Sequence, residues 1–194
     1  MIIKIDPDMH NRHSIRLKGF DYSYPGVYFL TLVAHKRECL FGEIEDSQMK
    51  LSGTGKLLDE CWNRIPIFFP NTNLDEYIIM PNHLHGIIII EEAHGRGEAS
   101  VTSNLETTDQ YLEDASPQSP IGTRPGSLGA IIQNFKSVST RKVNRLYFEP
   151  GNKIWQRNYY ERIIRNDREL NAIRRYIRDN PLNWDLDKEN PTNM

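Results

Sequence analysis

Apolar and polar positions alternate along this chain at two spacings. Residues 26–36, "GVYFLTLVAHK", follow a Pro-Gly pair and run together β-branched and aromatic side chains, which predicts a buried strand. Residues 41–53 predict a shorter, more exposed strand ending at Gly53. From 54 to 65 the spacing changes: Leu57, Leu58, Cys61, Trp62 and Ile65 recur at helical intervals, with Thr54 as candidate cap and Pro66 as the stop. Residues 74–80 and 83–90 predict two strands broken by Pro81-Asn82, an antiparallel hairpin. Residues 127–146 carry Leu128, Ile131, Ile132, Phe135, Val138 and Val143 as a helical stripe. Residues 152–156 predict a short strand. Residues 167–180 predict a last helix, capped by Asn166 with Glu169 completing a capping-box-like pattern, and stopped by Pro181. This order predicts an antiparallel sheet with helices packed on it, an α+β sandwich.

Residues 91–125 break the pattern. They hold Glu, Ser, Thr, Gly and Pro and few large aliphatics, too little apolar surface to order on their own. They predict a long flexible insertion in a single domain spanning 1–194; a lid that orders on binding is the other reading.

Length and composition narrow the class. A chain of 194 residues suits one core. Two cysteines, Cys39 and Cys61, lack CxxC-type spacing, so a disulfide framework or zinc knuckle is not expected. The first residues lack a signal-peptide core, and the aliphatic runs are too short to span a bilayer, which predicts a cytoplasmic protein without a membrane partner. The net charge of −2 gives no global footprint. It hides a basic region, because residues 126–178 hold twelve Lys and Arg against four acidic side chains. Phe148, Trp155, Tyr159 and Tyr160 are interleaved with them. Cations beside aromatic platforms suit single-stranded nucleic acid; a solvated helix face accounts for such charges as well.

The chemistry-bearing candidates come from two places. In "MPNHLHGIIII" (80–90), strand alternation puts His83 and His85 on one face, roughly 7 Å apart along the strand, and Leu84, Ile88 and Ile90 on the other. Two imidazoles on one face can chelate a metal ion; the same pair also fits buried histidines satisfied by backbone carbonyls. On the last helix Tyr176 and Asn180 are four residues apart and share a face. Tyr176 offers a phenol that could attack an electrophile, and Asn180 a neutral oxygen for a metal shell. Tyr176 equally fits the amphipathic edge of the Leu170, Ile173, Ile177 stripe.

Together these stretches resemble a known family. "YIIMPNHLHGII" (77–88) is similar to the histidine–hydrophobe–histidine strand of the single-tyrosine HUH transposases of the IS200/IS605 type. "WQRNYYERIIRNDREL" (155–170) and "YIRDNP" (176–181) resemble the C-terminal half of their REP-associated tyrosine branch. The resemblance runs from about residue 20 to 184, apart from the insertion. It implies a ferredoxin-like sandwich with helices on one face of the sheet, and a metal-dependent single-stranded DNA endonuclease and strand transferase acting on hairpin DNA. Carried over by position, Tyr176 is the nucleophile, and His83, His85 and Asn180 hold Mg²⁺ or Mn²⁺. The product is a 5′-phosphotyrosine and a free 3′-hydroxyl. Lys136, Arg141, Lys142, Arg165, Arg174, Arg175 and Arg178 are the expected DNA contacts. The resemblance further implies a nucleoid-associated bacterial protein, working as a monomer with its tyrosine in cis in preference to a homodimer with swapped tyrosine helices. Tyr159 and Tyr160 precede the helix and have Ile163 and Ile164, not amides, four residues on. Three other readings compete: a DNA-binding protein derived from a transposase that has lost its chemistry; a metal-dependent nuclease working through water; and a histidine-triad hydrolase, which Ile87 disfavours where a third histidine belongs.

Overall fold

The structure, a computed structural model, describes residues 24–92 and 125–193. The core of the expected insertion, 93–124, lies outside the described residues. The elements run β1 (Gly26–Val33), β2 (Gly42–Glu45), β3 (Gln48–Leu51), α1 (Gly53–Asn63), α2 (Ile65–Phe68), β4 (Thr72–Ile79), β5 (His83–Ile90), α3 (Leu128–Tyr147), β6 (Tyr160–Ile164) and α4 (Asp167–Asp179). Short 3₁₀ turns cover Asn180–Leu186 and Pro191–Asn193, and a left-handed turn covers Lys36 and Arg37.

The main sheet has the order β4-β5-β1-β6, with every neighbouring pair antiparallel. β1 and β4 therefore run parallel with β5 between them, and β5 and β6 run parallel with β1 between them. Two split β–α–β units interlock through α1 and α3, the ferredoxin-like α+β arrangement expected.

Polar side chains mark where the helices begin. Ser52, not Thr54, caps α1: its Oγ accepts from the Gly55 N–H at 3.1 Å, and Thr54 sits inside the first turn. Ser127 Oγ accepts from Ala130 N–H at the start of α3. Asn166 Oδ1 accepts from Glu169 N–H at 2.9 Å, and the Glu169 carboxylate reaches back to Arg165 N–H.

Three further expectations change. Residues 41–53 are not one strand but the hairpin β2–β3, a separate two-stranded sheet. The chain reverses at Asp46 and Ser47, at φ 48° and 60°, the left-handed pair a two-residue hairpin requires. Residues 152–156 contribute a single bridge, Ala34 to Trp155. The fourth strand is instead β6, which pairs along the edge of β1 from Thr31–Tyr160 to Val27–Ile164. The sheet's open edge, not the local sequence, supplies its partner. Finally, α1 and α3 share one face, but α4 lies on the other.

The two faces hold different cores. On one, Tyr28, Leu30 and Leu32 of β1 and Leu84, Ile88 and Ile90 of β5 meet Leu58 and Trp62 of α1 and Leu128, Ile131 and Phe135 of α3. Trp62 lies so close over β5 that a Cβ at Gly86 would stand 2.4 Å from its Cζ2, so only glycine fits there. On the other face Phe29, Ile87, Ile164 and Ile177 form a small cluster, with Leu170 and Ile173 packed against it. The leading half of β5 puts histidines, not aliphatics, on that face. Arg174 fastens α4 to β4 with two bonds to Asp75, at 2.9 and 2.5 Å, beside a register shift between Leu74 and Tyr77. No helix among the described residues is long and apolar enough to cross a membrane.

Candidate active site

The β1–β5 register sets Val33 opposite His83 and Thr31 opposite His85. Both imidazoles face the α4 side, are 0% and 2% exposed, and lean together until their ring centroids are 4.5 Å apart. His85 Nδ1 lies 2.9 Å from Thr31 Oγ1, and its Nε2 lies 3.2 Å from Tyr176 Oη. Phe29 stacks on His85 and meets Tyr176 edge-on, which holds the phenol over the sheet. His83 Nδ1 meets Asn82 Oδ1 at 3.0 Å.

The end of α4 closes the site from above. Ile177 is buried in the core, which turns Tyr176 toward His85; the tyrosine stays 46% exposed and open to a substrate. Asn180, 2% exposed, follows the last turn of α4. Its carboxamide favours the phenolate of Tyr176. The 3₁₀ turn Asn180–Leu186 then reverses the chain and delivers Asp187, whose Oδ2 lies 3.9 Å from His83 Nε2. The structure thus brings together all four residues expected at the centre, His83, His85, Tyr176 and Asn180, and adds Asp187.

Asp187 was not expected. Its ligand atom and those of His83 and His85 lie within 4.8 Å of one another, a group that could hold a metal ion. It stands in "WDLDKEN", past the matching motifs, with no spacing rule tying an acid there to histidines a hundred residues earlier. The acidic cluster itself was the one signal.

The electrostatics suit a cation. Burial holds His83 below its ordinary range, against the opposing pull of Asp187 and Glu189. Burial, then His83 and Lys188, hold His85 well below it. Both rings are therefore neutral near pH 7, with lone pairs to offer. Burial, then Asp187, raises the Tyr176 phenol. His83 Nε2 and Asn180 Oδ1 are buried without a hydrogen-bond partner. Leaving such atoms unpaired costs about 1–3 kcal/mol each. Two imidazole nitrogens, a carboxylate and an amide oxygen are an acceptor-rich set that a divalent cation would satisfy, so the residues present fit one.

The seven basic residues do not form one surface. Lys136 Nζ donates to the Gln156 and Asn158 carbonyls, at 2.9 and 3.1 Å, and sits over the Tyr159 ring; burial brings its pKa to about 8. Arg141 binds Ser137, and Lys142 lies 4.0 Å from Glu60. These three stand on α3, across the sheet from the histidines. Arg174 is held by Asp75, and Arg178 lies 3.9 Å from Glu76. Arg165 and Arg175 are exposed, Arg175 directly beside Tyr176. Tyr160 is in β6, edge-on to Phe29.

No family model matches the chain. An uncharacterized protein of Haemophilus influenzae is 39% identical over 191 residues, which cover 97% of this chain and 98% of that one. Among solved structures, a REP-associated tyrosine transposase bound to a REP hairpin superposes with a TM-score of 0.55 at 15% identity, over 86% of this chain and 73% of the other. The second likeness is one of fold. The first extends nearly end to end at an identity well above that of shared architecture, and the chain belongs to the family of this Haemophilus influenzae protein.

Proposed function

We propose that the chain is a metal-dependent single-stranded DNA endonuclease and strand transferase, with Tyr176 as nucleophile and DNA beside a hairpin as substrate. One observation carries the reading. A half-exposed phenol stands 3.2 Å from a buried imidazole, at the rim of a set of unpaired acceptors.

Each residue type has a task in that reaction. Tyr176 Oη forms a bond to phosphorus, the P–O3′ bond breaks, and the products are a 5′-phosphotyrosine and a 3′-hydroxyl. In the metal-free centre His85 Nε2 faces the phenol hydrogen and positions it; with a cation bound, that single lone pair would go to the ion and release the phenol. His83, His85, Asp187 and Asn180 would hold Mn²⁺ or Mg²⁺, which draws charge from a nonbridging phosphate oxygen and favours the phenolate. The two imidazoles favour Mn²⁺ of the pair. Because the linkage keeps the phosphodiester energy, a later 3′-hydroxyl can reseal the strand.

The DNA assignment draws on the local excess of basic residues and on the hairpin bound by the transposase of like fold. Arg175, exposed and next to Tyr176, is the cation assigned to a phosphate at the centre, since Lys136 and Arg174 are committed within the chain; Arg165 is exposed at the far end of β6.

The test is incubation of the full chain with 3′-end-labelled single-stranded hairpin DNA and Mn²⁺, read on a denaturing gel. A labelled protein adduct on Tyr176 is expected, and none from duplex DNA. Cleavage without an adduct would overturn the tyrosine mechanism in favour of a water-using nuclease. Binding without cleavage would leave a DNA-binding protein.

A further inference from the structure

We infer that Asn82 is a positioning residue of this centre: it fixes the tautomer of His83 and ties that tautomer to the seating of the segment that carries Asp187. The inference rests on the metal reading above, and its test separates the two.

Asn82 is 0% exposed, at the break between β4 and β5. Its Nδ2 meets two backbone carbonyls, Arg37 O at 3.0 Å and Glu189 O at 2.6 Å. Carbonyls only accept, so the amide nitrogen must be the atom that faces them. The amide oxygen is then the atom facing His83 Nδ1 at 3.0 Å. That oxygen also only accepts, so Nδ1 carries the hydrogen. A neutral imidazole has one N–H, and Nε2 is left with its lone pair. That Nε2 is the buried nitrogen without a hydrogen-bond partner. Two carbonyls on one side of Asn82 thus decide which nitrogen of His83 is free on the other.

The second half of the bracket is the Glu189 peptide. Its carbonyl receives Asn82, while its N–H donates to Asp187 Oδ1 at 2.7 Å. Oδ2 of Asp187 is thereby left 3.9 Å from the bare His83 Nε2, two acceptors that would face one cation. The Glu189 side chain is held in turn by Arg37 Nε at 2.8 Å. Arg37 and Lys36 have φ of 57° and 53°, a region L-residues rarely adopt in succession. That backbone turns the Arg37 carbonyl onto Asn82. A turn residue that served only to link two strands would need neither carbonyl, and would have no bearing on the tautomer.

The test reads metal-free protein, ¹⁵N-labelled at histidine, by two-bond ¹H–¹⁵N correlation, which tells protonated from bare ring nitrogens. In the wild type, His83 is expected bare at Nε2 and protonated at Nδ1. Asn82→Leu should mix the tautomers and weaken Mn²⁺ binding, measured by calorimetry, about 10–100-fold. Asn82→Asp keeps an acceptor toward Nδ1 but sets an anion against two carbonyls. It should keep the tautomer and still weaken Mn²⁺ binding by loosening Asp187. His83 protonated at Nε2 in the wild type overturns the inference whatever the metal does. So does a folded Asn82→Leu with unchanged tautomer and unchanged affinity. If Asn82→Leu does not fold, the wild-type spectrum and Asn82→Asp decide. If the wild type binds no Mn²⁺ yet shows the expected tautomer, and Asn82→Leu loses it, the metal reading fails and the tautomer lock stands.

Discussion

Tyr176 and His85 are 91 positions apart in the chain, and their Oη and Nε2 atoms are 3.2 Å apart in the fold. The contact joins the face of a sheet to the last helix. Tyr176→Phe removes one oxygen and keeps the ring packed on Phe29. Circular dichroism should be unchanged, and DNA adduct formation should fall at least about a thousandfold. Adduct persisting in that variant would move the nucleophile elsewhere.

A cation that binds only the folded centre stabilises it by mass action. At a hundred times its dissociation constant, Mn²⁺ should raise the unfolding free energy by about 2.7 kcal/mol, read as a higher melting temperature that chelator reverses. His83→Ala removes a ligand nitrogen and should abolish the rise. An identical rise in that variant would place the ion somewhere else.

The Gly86–Trp62 contact sets a steric limit. Trp62 is wedged between Phe135 and Tyr77 and cannot swing away from an added methyl. Gly86→Ala should cost about 1–3 kcal/mol in urea unfolding. A neutral result would show that α1 can lift off the sheet at that point.

Arg174 and Asp75 give a pH dependence of known sign. The Arg174 hydrogen bond holds the Asp75 carboxyl below its ordinary value of 3.8, against a smaller opposing effect of burial. A carboxyl depressed in the folded state binds fewer protons there than in the unfolded chain. Its stabilising share is therefore complete above pH 3.8 and is lost as pH falls through the lower folded value. Asp75→Asn should flatten the acid limb of the stability curve. Arg174→Ala should raise hydrogen exchange across Asp167–Asp179. If Arg174 served DNA alone, exchange would stay put and only the salt dependence of binding would change.

Phe148 ends α3 at φ 55° and is 89% exposed. A left-handed position suits glycine, and this side chain buries little to offset the strain. Phe148→Gly should stabilise the chain by about 1 kcal/mol and raise its melting temperature by roughly 2–4 °C. A loss of stability would mean that the ring packs against something in solution.

Periodicity alone marked α3 and α4, because a helix that buries one stripe must repeat its apolar residues every three to four positions. Strand alternation likewise put His83 and His85 on one face, opposite Leu84 and Ile88, before any fold was known. Asn166 was legible as a cap because its partner, Glu169, is three residues away. What escaped the sequence is what depends on distant partners. β6 is a strand because β1 offers it an edge. Ser52 displaces Thr54 as cap because its N–H and Oγ–H are held by the carbonyls of Phe41 and Leu40, more than ten residues back. Arg174 looked like a phosphate contact until Asp75, 99 residues away, was beside it. Asp187 joins the centre only because a 3₁₀ turn carries the chain back over β5. Local spacing determines which side chains share a face; only packing decides which faces meet.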